Sequence, residues 1–128
     1  GGTSGNVTLD YDTTYLPPLA FPLNLTINAQ SGTSYTLVLS DNSKLITASN
    51  TSPVAITIPT NASVPLPVGA TILLSQYGTG TVTVSGAGGV TVVSAGMTPS
   101  APNLRAQYSS VGLIQTSANN WLVTGDLI

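Results

Sequence analysis

The residues able to do chemistry are few, and several of them gather at one end of the chain. In the closing phrase LRAQYSSVGLIQTSANNWLVTGDLI stand the single Arg, Arg105, the single Trp, Trp121, and one of the few acids, Asp126. The other charged residues are Asp10, Asp12, Asp41 and Lys44, and His, Cys and Glu are missing altogether. Acid/base catalysis near neutral pH usually falls to His or a tuned carboxylate, and a nucleophilic Ser or Thr needs a base beside it. Ser and Thr are abundant here, but the only candidate bases are four Asp and one Lys. We therefore read the chain as non-enzymatic, with no catalytic residues and no cofactor. Zinc wants Cys and His ligands, which excludes a zinc site.

Each remaining candidate has a plain structural reading. Asp10 and Asp12 in TLDYDTT project to one face of an extended segment and could hold a calcium ion. Calcium takes six to eight oxygens, however, and no further acid lies nearby, so a solvated polar face is the better reading. Asp41 and Lys44 in SDNSK belong to a turn, where Asp and Asn bond their own backbone, with a local ion pair. Arg105 is expected in a structural ion pair with Asp126 or Asp41, because an unpaired buried charge is costly. Asn6, Asn24, Asn50 and Asn61 each open a glycosylation sequon, but no secretory signal accompanies them. The GAGG run at Gly86–Gly89 lacks the Lys and helix start of a phosphate loop and reads as a turn. Tyr35, Tyr77, Tyr108 and Trp121 could form a sugar platform, but as aromatics in a small β domain they read first as core or interface anchors.

The elements that must position these residues are strands. At 128 residues the chain is one domain of ordinary size. Good helix formers are scarce, whereas Gly, Pro, Thr, Ser, Asn and Val dominate. From Ser34 onward come YTLVLS, KLITA, VAITIP, TILLSQY, TVTVSG, VTVVS, RAQYS, VGLIQT and NWLVT, separated by turn clusters such as SDNS, SNTSP, PTNAS and SANN. This spacing predicts an all-β fold, an antiparallel sandwich or barrel-like domain of about 8–9 short strands. YGTG at Tyr77–Gly80 is the best hairpin candidate and GAGG the next. In TVTVSG, Val82 and Val84 are expected to face the core, and Thr81 and Thr83 solvent.

Residues 1–28 differ from the domain at 29–128. LPPLAFPL carries three of the nine prolines and no alternation, which predicts an extended arm. Its Leu16, Leu19, Phe21 and Leu23 need a surface to cover them. No basic stretch followed by an apolar core opens the chain, and no window reaches a membrane span of roughly 18 apolar residues. The first residue is Gly, which has two readings, removal of an initiator Met ahead of a small residue or the cut edge of a fragment, with the first preferred. A net charge of -2 leaves nothing to neutralise a phosphate backbone, so no nucleic-acid partner is expected.

The order of three phrases, YTLVLSDNSKLITASN, then VAITIPTNASVPLPVGATILLSQYGTGTVTVSGAGGVTV, then LRAQYSSVGLIQTSANNWLVTGDL, resembles a module of bacteriophage virion proteins, including head-decoration and fibre or tail proteins. The residues that carry the likeness are Asp41, Lys44, Pro67, Gly69, Gly80, Arg105, Tyr108, Trp121, Gly125 and Asp126, within Ser34 to Leu127. The resemblance implies a structural role in the virion and often a trimer, with no catalytic residues to carry over. The expectation is a capsid decoration or cement protein at the capsid surface. It forms a homotrimer, uses the arm and Trp121 as contacts, and has the major capsid protein lattice as partner. The alternative is a fibre or tail domain that binds a host-surface glycan.

Overall fold

A computed structural model describes residues 24–128. The chain forms β1 (Thr26–Gln30), β2 (Ser34–Thr36), a single 3-10 turn (Leu39–Asp41), β3 (Lys44–Ala48), β4 (Val54–Ile58), β5 (Thr71–Gln76), β6 (Val82–Gly86), β7 (Thr91–Ser94), β8 (Ser110–Ser117) and β9 (Asn120–Gly125). β1, β3, β5, β8, β9 and β7, in that spatial order, make a six-stranded sheet, and β2, β4 and β6 make a three-stranded one.

The expected antiparallel sandwich or barrel is overturned. The pairs β1–β3, β3–β5 and β9–β7 are parallel, and so are both pairs of the smaller sheet; only β5–β8 and β8–β9 run antiparallel. The first six strands alternate between the two sheets, so the chain winds as a short two-sheet coil. Thr26 pairs with Lys44 at an offset of 18 positions, and Leu45 with Leu73 at an offset of 28. Parallel neighbours need a long crossover, which is usually a helix. Here the crossover between β1 and β3, between β3 and β5, and within the smaller sheet is a strand of the opposite sheet, whereas β7 and β9 are joined through the 95–109 loop and β8 of their own sheet.

This also disposes of both expected hairpins. YGTG carries the chain from β5 in one sheet to β6 in the other, and GAGG carries it from β6 back to β7. Among the described residues the strands joined as a hairpin are β8 and β9, at Ala118–Asn119, where Asn119 takes a positive φ of 61°. RAQYS is not a strand either: Tyr108 sits at φ 70°, which breaks extended pairing.

The corners stack as the strands do. Asn50 Nδ2 donates to the Ser31 carbonyl at 2.8 Å, and Gly80 N donates to the Asn50 carbonyl at 2.8 Å. A Cβ on Gly80 would overlap the Ser52 carbonyl, and one on Gly78 the Asn50 backbone. The glycines of YGTG are there for this close approach between successive corners.

Between the sheets, side chains stack in columns set by the register. Ile46, Leu74 and Val111 follow one another across the large sheet, and Ile56 and Val84 across the small one, all buried. Val82 and Val84 face this core as expected. At the β1–β2 end the columns turn polar, with Asn28 next to Ile46 and Tyr35 next to Ile56. The far end of the small sheet is covered by the chain itself, since Leu104 N donates to the Val82 carbonyl and Val84 N to the Pro102 carbonyl, both at 2.9 Å.

Candidate functional site

The closing phrase yields one real pair. Arg105 Nε and Nη2 donate to Asp126 Oδ1 and Oδ2 at 2.7 and 2.8 Å, a two-pronged contact. The main chains add Arg105 N to the Asp126 carbonyl at 3.1 Å, and the Ser109 hydroxyl donates to Asp126 Oδ2 at 2.7 Å. The Arg105 guanidinium, and after it the Ser109 hydroxyl, hold the Asp126 carboxyl below its ordinary range. The side chains are 58% and 39% exposed, so the pair is a surface clamp on the Arg105–Ser109 loop and not a buried bridge.

Trp121 is elsewhere. It faces the core from β9, level with Gln115 on one side and Val92 on the other, and is 1% exposed. The expectation that it contacts another subunit is therefore corrected: a strand parity that points it between the sheets leaves no indole surface for a partner. The grouping that looked chemical in sequence separates into a surface clamp and a core anchor.

Asp41 pairs with neither cation. It is fully buried at the end of the 3-10 turn, where Asn28 Nδ2 reaches Oδ1 at 2.9 Å and Tyr35 Oη and Val38 N reach Oδ2 at 2.7 and 2.9 Å. Three neutral donors take the place of the expected Lys44 or Arg105, because the first column positions of the coil present amide and phenol groups instead of charge. Burial, and then the bond to Asp41, push the Tyr35 hydroxyl up to about 12. The network ties β1, β2 and the turn together. In the described part of the structure, Arg105–Asp126 is the ion pair present, so the local Asp41–Lys44 pair is not made.

Two buried glutamines do positioning work that the sequence did not advertise. Gln115 Nε2 donates to the Leu66 and Pro67 carbonyls at 2.7 and 2.9 Å, which pins the Pro-flanked loop ahead of Gly69. Gln76 Oε1 accepts from Val82 N at 3.1 Å across the Tyr77–Gly80 corner. The only signal available was a long polar residue at an inward strand position, and that could not be read while the strand order was unknown.

The surface offers two features. Tyr77 and Tyr108 meet edge to face with ring centroids 5.5 Å apart, and both are exposed. Tyr35 and Trp121 turn inward, so the four aromatics do not share a platform. The second feature is the outer face of the six-stranded sheet. Register places Ile27, Leu45 and Leu73 in one row, and Ile114, Leu122 and Val93 in another. No outward position on these six strands carries a charge. Ile27, Leu73 and Val93 are 54%, 37% and 50% exposed.

Beside this face lies a cavity lined by Ala95, Leu122, Val123, Thr124, Gly125 and Leu127, a set without a titratable side chain. Among the described residues no group of three His, Cys, Asp or Glu side chains is placed to hold a metal, and no helix is long and apolar enough to cross a membrane. Asp10, Asp12, Leu16, Leu19, Phe21 and Leu23 lie outside the described residues. No protein-family model matches the chain, and no curated protein matches it either.

Proposed function

We propose that this chain is a non-enzymatic structural protein of a bacteriophage particle, a decoration or cement protein that assembles as a homotrimer on the head shell. The observation that carries the reading is the outer face of the six-stranded sheet, with its two apolar rows and no charged position. Contiguous exposed apolar surface marks interaction sites in soluble proteins. A face without charge can meet an identical face across a symmetry axis with no like-charge repulsion. The coil behind it, ordered by stacked corners and buried columns, is a rigid support for such a contact, and the phrase order of the sequence points to virion proteins. Stabilisation of a shell then follows from mass action, since a protein that binds only the assembled lattice favours that lattice.

The test is reconstitution. Purified protein is mixed with expanded, undecorated phage heads, and shell-bound copies are counted by quantitative mass spectrometry. Stoichiometric binding that raises the temperature of head rupture supports the reading, and a protein that ignores heads overturns it. One observation favours a second reading, a fibre or tail domain that binds a host-surface glycan: the exposed Tyr77–Tyr108 pair with Gln107 alongside, whose Nε2 donates to the Tyr77 carbonyl at 3.0 Å. Glycan-array binding lost in Tyr108→Ala would favour that reading.

A further inference from the structure

Tyr77 and Tyr108 are far apart in the chain, yet their rings meet edge to face on the surface, with 5.5 Å between centroids and 81° between planes. Backbone bonds place them there. Tyr77 opens the corner after β5, where its N–H donates to the Ala48 carbonyl at 2.7 Å. Tyr108 lies in the loop ahead of β8, and its N–H donates to the carbonyl of Gln76, the residue before Tyr77. Gln107 Nε2 adds a bond to the Tyr77 carbonyl at 3.0 Å. Tyr108 holds φ at 70°, a conformation that costs a bulky residue energy unless its surroundings impose it. Here they do. Gln76 N donates to the Ser109 carbonyl at 3.0 Å, while Ser109 Oγ accepts from Ala106 N at 3.0 Å and donates to Asp126 Oδ2 at 2.7 Å. Arg105 grips the same carboxylate, so the loop is fixed on both sides of Tyr108. The two phenols, 48% and 67% exposed, are thus held together within reach of an oxidant in solution.

We propose that Tyr77 and Tyr108 form a site of oxidative cross-linking, at which a haem peroxidase working with hydrogen peroxide joins the two rings as dityrosine within one chain. Each phenol gives up its hydroxyl proton and one electron. The two phenoxyl radicals combine through a Cε carbon, ortho to the oxygen, on each ring, and a C–C bond forms. The hydrogens displaced from those two carbons return to the oxygens as both rings regain aromaticity. The net loss is two protons and two electrons, which reduce one hydrogen peroxide to two waters.

The arrangement favours this pair. Coupling of two radicals is bimolecular, and holding the partners in contact makes it effectively unimolecular. Ring χ2 is a broad two-fold torsion, so exposed rings turn to bring a Cε of each to the other's edge. Among the described residues this is the aromatic pair in contact. The bond would tie the corner after β5 to the loop ahead of β8, a covalent staple in a chain with no cysteine to make one. A cross-link that closes a long loop restricts the unfolded chain and so favours the folded one. The inference is independent of the functional reading above, because it concerns two side chains of one chain, whatever surface the protein serves.

The two cations of the sequence make the test direct. Trypsin cuts after Lys44 and Arg105, giving residues 1–44, 45–105 and 106–128, and Tyr77 and Tyr108 are the single tyrosines of the second and third peptides. The full-length protein is treated in dilute solution with a haem peroxidase and hydrogen peroxide, and the species that runs as a monomer on a denaturing gel is digested. The expected main cross-linked product is a conjugate of 45–105 with 106–128, two hydrogens lighter than the separate peptides and carrying dityrosine fluorescence. Tyr77→Phe and Tyr108→Phe keep a ring at each position and lack one phenol. Each should cut dityrosine fluorescence in the monomer at least about tenfold, because the contact no longer supplies two phenols. A monomer left unlinked, links mainly between chains, or links from Tyr11, Tyr15 or Tyr35 at comparable yield would overturn the proposal. Fluorescence that survives either substitution would overturn it as well.

Discussion

Asp41 shows how a charge-poor chain uses one of its few carboxylates. Removing it in Asp41→Ala takes the shared acceptor from Asn28, Tyr35 and Val38 in a partly buried site. Each unsatisfied group costs about 1–3 kcal/mol, so the expected loss is about 3 kcal/mol or more, read from the urea midpoint; Asp41→Asn, which keeps one acceptor oxygen, should lose less. The same network sets an alkaline limit. An unfolded tyrosine releases its proton near the ordinary 10.0, whereas folded Tyr35 holds it to about 12. The folded state binds more protons in that interval, so the contribution is whole below the lower value and falls away as pH rises through the upper one. Tyr35→Phe should flatten the fall in urea midpoint between pH about 9 and about 11.5 while costing about 1 kcal/mol at neutral pH for the lost hydroxyl bond. In the sequence, Asp41 was legible as a turn residue and Arg105–Asp126 as one of two possible pairings. The neutral partners of Asp41 were not legible, because Asn28 and Tyr35 reach it only through the parallel register of β1 with β3 and β2 with β4.

Among the elements, the sequence marked most strands and misjudged their connections, for a physical reason. KLITA, VAITIP, TILLSQY, TVTVSG and NWLVT all form strands close to where their alternation and β-branched content place them. A corner that hands the chain to the opposite sheet and a hairpin that reverses it draw on the same Gly, Asn, Ser and Pro chemistry. Local composition therefore cannot separate an antiparallel ladder from a coil; the distinction lies in what stacks on the corner. Gly80 carries that information, since its missing Cβ is where the Ser52 carbonyl lies. Gly80→Ala should cost about 2 kcal/mol or more, through a backbone shift that disturbs the neighbouring corner. Gly88→Ala is the control, because nothing stands near its Cβ position and its φ is ordinary. A hairpin at Tyr77–Gly80 would make the two substitutions similar, whereas stacked corners make only Gly80→Ala destabilising in thermal melts.

At the scale of the whole molecule, low charge and the apolar outer face belong to one argument. Association through charged groups weakens as salt shortens the Debye length from about 10 Å at 0.1 M to about 3 Å at 1 M. The outward positions of the six-stranded sheet carry no charge to screen. The self-association proposed for this face should therefore keep its affinity, or tighten modestly, between about 0.1 and 1 M salt, because salts excluded from protein surfaces strengthen apolar burial. Leu73→Asp places a charge in the middle of the outer row, between Leu45 on β3 and Gly112 on β8. In a symmetric assembly every copy brings that charge to the contact, so desolvation and mutual repulsion act together. Leu73 is itself 37% exposed, and the fold should tolerate the change. Sedimentation velocity should then show an assembly that persists through the salt series for the unsubstituted protein, and a monomer with an unchanged thermal midpoint for Leu73→Asp. An assembly that dissolved with salt would move the contact off this face, to a surface that carries charge such as the exposed Arg105–Asp126 pair.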